Sequence, residues 1–120
     1  MTRTDWERAG HAEVADYERL GTEYADLAAQ EMDLEAGRSV EKDHAVRRIM
    51  EQPNPLNGDK PHSATSAEKL VEGDAEYAAY LRRQRETVHL KNIAFTAMTG
   101  ARLRAELAIA ALRAGEGVPA

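Results

Sequence analysis

Opposite charge in the two longest helix-like segments is the feature that most limits how this chain can fold. Residues 1–37 carry ten acidic and three basic side chains, whereas residues 75–113 carry seven basic and three acidic ones. Both segments place apolar residues at spacings of three and four, which is typical of amphipathic α-helices. Laid antiparallel, the two helices complement each other in charge. The pattern therefore predicts an all-α fold, a long antiparallel helical hairpin.

Start and stop signals set the limits of the first half of this hairpin. Thr4 and Glu7 form a capping box, in which each side chain satisfies a backbone donor at the helix start. Gly37 is expected to end or kink this helix, and Ser39 to cap its restart as a shorter middle helix. The segment 53–61 contains three prolines and is typical of turns and loops.

Similar signals mark the second half of the chain. Thr65 and Glu68 form another capping box, and Asp74 can cap the last long helix. The sequence predicts one helical domain, 1–120, with helices at roughly 4–36, 39–51, 66–72 and 75–113, a Pro- and Gly-rich loop at 52–65, and a loose tail at 114–120.

A thin core is expected for a single copy of this chain. Large apolar residues are few, with one Phe and one Trp among 120 residues, and alanines line one face of the last helix. Large apolar side chains lie on the neighbouring faces, and such a helix usually contacts more than one partner. The sequence therefore predicts a homo-oligomer. The residues expected at helix interfaces are Trp6, Tyr17, Tyr24, Tyr77, Leu81, Phe95, Met98, Leu103 and Leu107.

The antiparallel arrangement also suggests which residues face each other. Tyr17 and Tyr24 are expected opposite the alanine face around residues 94–101, where large side chains pack against small ones. The charge pattern places Arg82, Arg83 and Arg85 opposite acidic residues of the first helix, namely Glu13, Asp16 and Glu23.

Composition excludes several classes of site. The chain has no cysteine, so disulfides, thiolate zinc sites, iron–sulfur clusters and cysteine nucleophiles are excluded. The N-terminal residues lack an apolar signal core, and no run approaches the ~20 apolar residues of a membrane span. We expect a cytoplasmic protein that has no membrane partner and no cofactor.

Two polar stretches are candidates for binding anions or nucleic acid. Lys60, His62 and Ser63 precede a predicted helix N-terminus, where phosphate groups bind favourably. The alternative is a capped loop whose hydroxyls satisfy local backbone groups. The stretch 82–91 is the second candidate, since its basic side chains could follow a nucleic-acid backbone. Its basic residues are Arg82, Arg83, Arg85 and Lys91, and the alternative for them is pairing with the acidic helix.

Two Glu-x-x-His pairs raise a metal-binding alternative. Glu41 with His44, and Glu86 with His89, each place a carboxylate and an imidazole on one helix face. Four-helix di-iron proteins use two such pairs with two further glutamates. Lys42 and Arg85 are unfavourable neighbours for a buried carboxylate cluster, and fourteen glutamates make chance pairs common.

The general layout resembles small Ala/Glu/Arg-rich helical-hairpin proteins encoded in bacteriophage genomes. The resemblance covers the acidic first helix, the connector Lys60–Glu72 and the helix Tyr77–Leu112, and it rests on pattern. It implies a phage accessory or interaction protein without assigning site residues. Together with the residues, it predicts a small non-enzymatic protein that acts through oligomerisation and protein–protein contact. The alternatives are a nucleic-acid-associated accessory protein and a metal-binding helical bundle.

Overall fold

Two long helices dominate the chain and confirm the predicted all-α hairpin class. The computed structural model describes residues 2–116. Helix α1 spans Arg3–Met50, helix α2 spans Ala64–Leu70, and helix α3 spans Ala75–Glu116. The connection between α1 and α2 holds two short strands, β1 (Pro53–Asn54) and β2 (Lys60–Pro61), and a 3-10 turn at Pro55–Asn57. A second 3-10 turn, Val71–Gly73, precedes α3.

Helix α1 starts two residues earlier than a Thr4 cap requires. The hydroxyl of Thr2 accepts a hydrogen bond from the Asp5 amide at 3.2 Å, and the Asp5 carboxylate accepts one from the Thr2 amide at 3.0 Å. This reciprocal pair is a capping box. The Thr2 hydroxyl also donates a hydrogen bond to the Asp5 carboxylate at 2.8 Å. The bonds that Thr2 donates to this carboxylate, the one from its amide most, lower the pKa of Asp5. The predicted Thr4–Glu7 box is therefore wrong, and Glu7 instead pairs with Arg3 at 3.2 Å.

Helix α1 is continuous through Gly37, which corrects the predicted break between residues 36 and 39. The glycine provides room for a side chain of α3. A Cβ atom at residue 37 would lie 3.0 Å from the Tyr80 hydroxyl oxygen. That hydroxyl donates a hydrogen bond to the Leu34 carbonyl, one turn earlier in α1. The pKa of Tyr80 is raised, chiefly because the side chain is buried, so the hydroxyl keeps its proton.

The connection between the long helices is ordered by its own polar groups. The β1 and β2 strands pair antiparallel, with Asn54 opposite Lys60, and the sequence pattern did not predict them. Gly58 and Asp59 adopt positive φ angles of 63° and 60° to close the turn. Ser63, rather than Thr65, caps α2, because its hydroxyl accepts a bond from the Ser66 amide at 3.1 Å. Helix α2 consequently begins at Ala64.

Helix α3 begins as predicted and ends later than predicted. The Asp74 carboxylate accepts a hydrogen bond from the Tyr77 amide at 2.9 Å, which confirms Asp74 as the cap. Residues 114–116 continue α3 instead of forming a loose tail. The remainder of that predicted tail, 117–120, lies outside the described residues.

The chain divides into two compact units, and each contains a stretch of both long helices. One unit comprises Met1–Ala28 and His89–Ala120, and the other comprises Ala29–Val88. The second unit holds a core where α1, α2 and α3 meet. Its buried residues are Ala45, Ile49, Ala67, Val71 and Tyr77, with Val46, Met50 and Leu81 packed against them.

The first unit is a two-helix pair with small residues between the helices. A Cβ atom at Gly10 would lie 3.6 Å from the Ala108 Cβ, and one at Gly21 would lie 3.7 Å from the Met98 sulfur. Glu13 binds Arg104 at 2.8 Å. These contacts run in opposite directions along α1 and α3, so the helices are antiparallel here.

Gly10 provides a first test of this packing. A distance of 3.6 Å is ordinary van der Waals contact, so an added methyl group fits against Ala108. We expect Gly10→Ala to raise the free energy of unfolding by about 0.5–1 kcal/mol, because alanine loses less backbone entropy in a helix. Urea denaturation followed by circular dichroism measures this change. A loss of stability would mean that the helices approach more closely at Gly10 than this distance allows.

Candidate interaction surface

The inner side of α3 in the first unit is a regular seam that packs on α1. We call inner seam the residues Lys91, Ala94, Met98, Ala101, Ala105, Ala108 and Leu112, which alternate spacings of three and four. Its four alanines are all buried, and Ala101 is fully so. Such a repeat is the pattern of two helices packed along one stripe. Because the seam is mostly alanine, it buries little large apolar surface.

The opposite side of α3 carries a second stripe with the same spacing. We call it the outer stripe; its residues are Ile93, Thr96, Gly100, Leu103, Leu107, Ala110 and Ala114. At about 100° per residue, Leu103 lies ~200° from both Ala101 and Ala105 and so faces away from α1. The outer stripe extends over 22 residues of α3, and none of its seven members is charged.

The large residues of the outer stripe are exposed. Ile93 is 52% exposed, Leu103 55% and Leu107 62%. The exposed Thr96 and the half-buried Gly100 lie between Ile93 and Leu103, and the exposed Ala110 and Ala114 follow Leu107. The next positions toward the N-terminus are His89 and Glu86, which end the apolar stripe. A contiguous exposed apolar stripe of this kind typically marks an interaction site, whereas single exposed apolar residues do not.

An open groove lies at the N-terminal end of the outer stripe. It has a volume of about 450 Å³ and is lined by His89, Asn92, Ile93, Thr96 and Ala97. All five residues belong to α3, so the groove lies between side chains of this one helix. A side chain of a neighbouring helix could occupy it.

The predicted interface residues lie in several different parts of the structure. Tyr77 and Leu81 belong to the core of the second unit. Tyr24 packs on Phe95 with ring centroids 5.7 Å apart, as the predicted register requires, and Met98 faces Gly21. Leu103 and Leu107 lie on the outer stripe. Trp6 is half-buried, and Tyr17 and Phe95 are 38% and 50% exposed.

The predicted pairing of the basic stretch with Glu13, Asp16 and Glu23 is wrong. Glu13 pairs with Arg104. Asp16 and Glu23 lie 3.7 Å and 3.9 Å from Arg19 of the same helix. Helix α3 reaches Glu13 with a residue far beyond the stretch 82–91, because the antiparallel register is set by the small residues of the seam.

Acidic residues accompany the predicted nucleic-acid contacts in the second unit. Arg83 lies 5.5 Å above the Tyr80 ring and shares a surface groove with Glu41 and Glu76. Arg85 lines another groove with Glu31, Glu35 and Glu72. Arg82 is exposed, and Lys91 is half-buried on the inner seam of the first unit. The basic stretch is therefore part of a surface of mixed charge.

Local hydrogen bonds engage two of the three residues predicted to bind anions. Ser63 caps α2, and His62 Nδ1 lies 2.9 Å from the Ser66 hydroxyl. Lys60 is exposed on β2. The hydroxyl of Ser63 thus satisfies a backbone amide of its own chain, as the capped-loop alternative expects.

The four residues of the metal hypothesis lie on α1 and α3. Within residues 2–116, no three or more His, Cys, Asp or Glu side chains are placed to hold one ion. Glu41, His44, Glu86 and His89 are accordingly not gathered into such a group. His44, Glu86 and His89 are exposed, and Glu41 is half-buried.

A network at the start of α3 is the strongest polar feature of the second unit. Arg48 Nη2 lies 2.7 Å from Asp74 Oδ2, and Arg48 Nη1 lies 3.0 Å from Glu76. The Asp74 side chain is 10% exposed and also caps α3. The hydrogen bonds from Arg48 lower the pKa of Asp74. This network fixes the end of α1 against the start of α3.

Two further findings bear on function. No helix in the described part of the chain has an apolar stretch long enough to cross a membrane. Comparison of the sequence and structure with models of protein families, with curated proteins and with solved structures gave no match.

Proposed function

We propose that this chain is a small non-enzymatic accessory protein that acts through protein–protein contact, and that it oligomerises through the outer stripe of α3. The observation that carries the proposal is an uncharged stripe on the side of α3 that faces away from α1, with Ile93, Leu103 and Leu107 half or more exposed. Exposed leucine and isoleucine gain free energy when a second surface covers them. The bacteriophage origin implied by the resemblance stays a prediction.

The periodicity of the outer stripe favours a helix as the docking partner. Its spacings of three and four continue for 22 residues, about 32 Å at a rise of 1.5 Å per residue. A helix laid along this stripe can contact every member, as in helix-in-groove and coiled-coil recognition. The alanine-rich inner seam gives a second reason for association, because it leaves each copy with little buried apolar surface.

The test is the association state of the protein and of a double variant, Leu103→Glu with Leu107→Lys. Glutamate four residues before lysine favours the helix, and the net charge of the chain does not change. We expect the wild type to self-associate between about 1 µM and 1 mM, and the variant to associate at least about 30-fold more weakly, since it would bury two charges. Sedimentation equilibrium or light scattering measures both proteins.

Matched controls separate the outer stripe from apolar surface in general. Met32 and Val40 are exposed on α1, at 73% and 52%, and lie outside the outer stripe. We expect Met32→Glu with Val40→Lys to associate like the wild type. Circular dichroism confirms that each variant is folded. A wild type that stays monomeric over the whole range, or a folded Leu103/Leu107 variant that associates normally, would overturn oligomerisation through this stripe.

A further inference from the structure

The order of large and small residues along the outer stripe favours one partner and one arrangement. We propose that the outer stripe pairs with the outer stripe of a second copy, antiparallel and around a two-fold axis, in the register where facing residue numbers add to 203. This inference rests on the proposed function and specifies how two copies meet at that surface. A two-fold interface is the commonest type in soluble oligomers and requires a self-complementary surface.

In this register, every layer of the pairing joins a large side chain to a small one. Ile93 faces Ala110 of the second copy, Leu107 faces Thr96, and Leu103 faces Gly100. The two-fold axis repeats each layer, so the same three pairs occur on both sides of it. Alternating large and small residues across facing positions lets helices interdigitate without gaps.

The groove at the N-terminal end of the stripe fits the same register independently. Ile93 and Thr96 line it, together with His89, Asn92 and Ala97. Leu107 of the second copy faces Thr96 in this arrangement, so its side chain enters the groove. Leu107 is 62% exposed in a single copy, the highest exposure among the large residues of the stripe.

Neighbouring registers match less well. Sliding one copy by a heptad in one direction places Leu103 against Leu107 and Gly100 against Ala110. Sliding it in the other direction places Leu107 against His89 and Thr96 against Gly100. Both arrangements put two large residues in one layer and two small residues in another, which leaves gaps beside crowded contacts.

A parallel pairing matches less well for the same reason. It sets each residue against its own copy, so Leu103 faces Leu103 and Leu107 faces Leu107, while the small Gly100 faces only Gly100. Parallel helices also align their macrodipoles unfavourably. In the antiparallel register, the flanking charged residues Arg104, Glu106 and Arg113 face Thr99, Ala97 and Leu90, so no like charges meet at these positions.

Cysteine crosslinking tests the register, because the chain has no cysteine of its own. Two single variants are prepared, Thr96→Cys and Leu107→Cys, both at exposed positions. In the proposed register, residue 96 of one copy faces residue 107 of the other. Each residue lies about 17 Å along the axis from its own counterpart, since the offset is 11 residues at 1.5 Å each. A short bismaleimide cannot span that offset.

We expect the mixture of the two variants to give a covalent dimer within minutes, and each variant alone to give at least tenfold less. Crosslinking of each variant with itself would show parallel pairing and overturn the inference. Crosslinking of a Leu103→Cys and Leu107→Cys mixture in preference to the first mixture would show the shifted register and also overturn it. Light scattering on the same samples separates the two proposals. A dimer with the wrong crosslinks refutes only the register, whereas a monomer refutes oligomerisation as well.

Discussion

Replacing Asp74 by alanine is expected to lower the free energy of unfolding by about 2–4 kcal/mol. The substitution removes the cap of α3, worth about 1 kcal/mol. It also leaves Arg48 without its closest carboxylate, at a site where the Asp74 side chain is only 10% exposed. Breaking a partly buried ion pair from one side costs more than breaking an exposed pair does, because the remaining Arg48 charge stays partly desolvated. Urea denaturation followed by circular dichroism gives the value.

Two control variants separate the two contributions to this loss of stability, the helix cap and the ion pair with Arg48. Asp74→Asn keeps an oxygen that can accept the Tyr77 amide and removes the charge, so we expect about half of the effect. Glu76→Ala removes the other carboxylate near Arg48, but Glu76 is 74% exposed, so we expect at most about 0.5 kcal/mol. Equal losses for Asp74→Ala and Glu76→Ala would contradict the network described here.

The contribution of Asp74 also has a defined pH dependence. Its pKa in the folded chain lies below the ordinary value of 3.8, chiefly because Arg48 donates hydrogen bonds to it. A carboxylate with a lowered folded pKa stabilises the fold above its unfolded pKa and loses that contribution as the pH falls through the folded value. The stability difference between wild type and Asp74→Ala should therefore be constant near neutral pH and shrink below about pH 4.

The second large effect is expected at Ala101, in the middle of the inner seam. Ala101 is fully buried, so three added carbon atoms in Ala101→Leu have no space unless α1 and α3 separate. Overpacking of this kind costs about 1–3 kcal/mol, and we expect the upper part of that range because two rigid helices must move. Thermal unfolding should show a lower midpoint, and differential scanning calorimetry measures it.

The matched control for Ala101→Leu is Ala25→Leu. Ala25 lies on α1 in the same unit and is exposed. Leucine and alanine are both good helix formers, so we expect a change within about ±0.5 kcal/mol. If Ala101→Leu proved as stable as wild type, the helices would have to be farther apart than the full burial of Ala101 indicates.

Much of the fold can be predicted from local sequence patterns, because amphipathic helices are recognised by the spacing of nearby apolar residues. The apolar period, the prolines of 53–61 and the Asp74 cap correctly predict two long helices joined by a short connection. Tyr24 meets Phe95 within the predicted register. The residues that cap each helix are harder to predict from the sequence. Thr2 with Asp5 and Ser63 with Ser66 compete with nearby sequences of similar chemistry, and only the backbone path decides between them.

Structural features that depend on residues far apart in the chain could not be predicted from local sequence patterns. Glycine is common at helix ends, so Gly37 is expected to end a helix. In the structure it instead leaves room for Tyr80, which lies 43 residues later in the chain. The net charge of the basic stretch 82–91 complements that of the acidic first helix, but individual ion pairs depend on the register, and Glu13 pairs with Arg104 instead. The apolar breadth of α3 was visible in the sequence. Its division into an inner seam and an outer stripe required knowing which side α1 covers.

The contact between Tyr80 and Gly37 has a consequence for folding errors in the second unit. Helices that pack by a seven-residue repeat can slide by one repeat and still bury similar surfaces. Such a slide would bring the Tyr80 hydroxyl to Gln30 or to His44, where a side chain occupies the space that Gly37 leaves open. The tyrosine would lose its bond to a main-chain carbonyl and be left with a buried polar group. One missing side chain on α1 thus penalises misaligned pairings of the two helices and leaves a single alignment favoured.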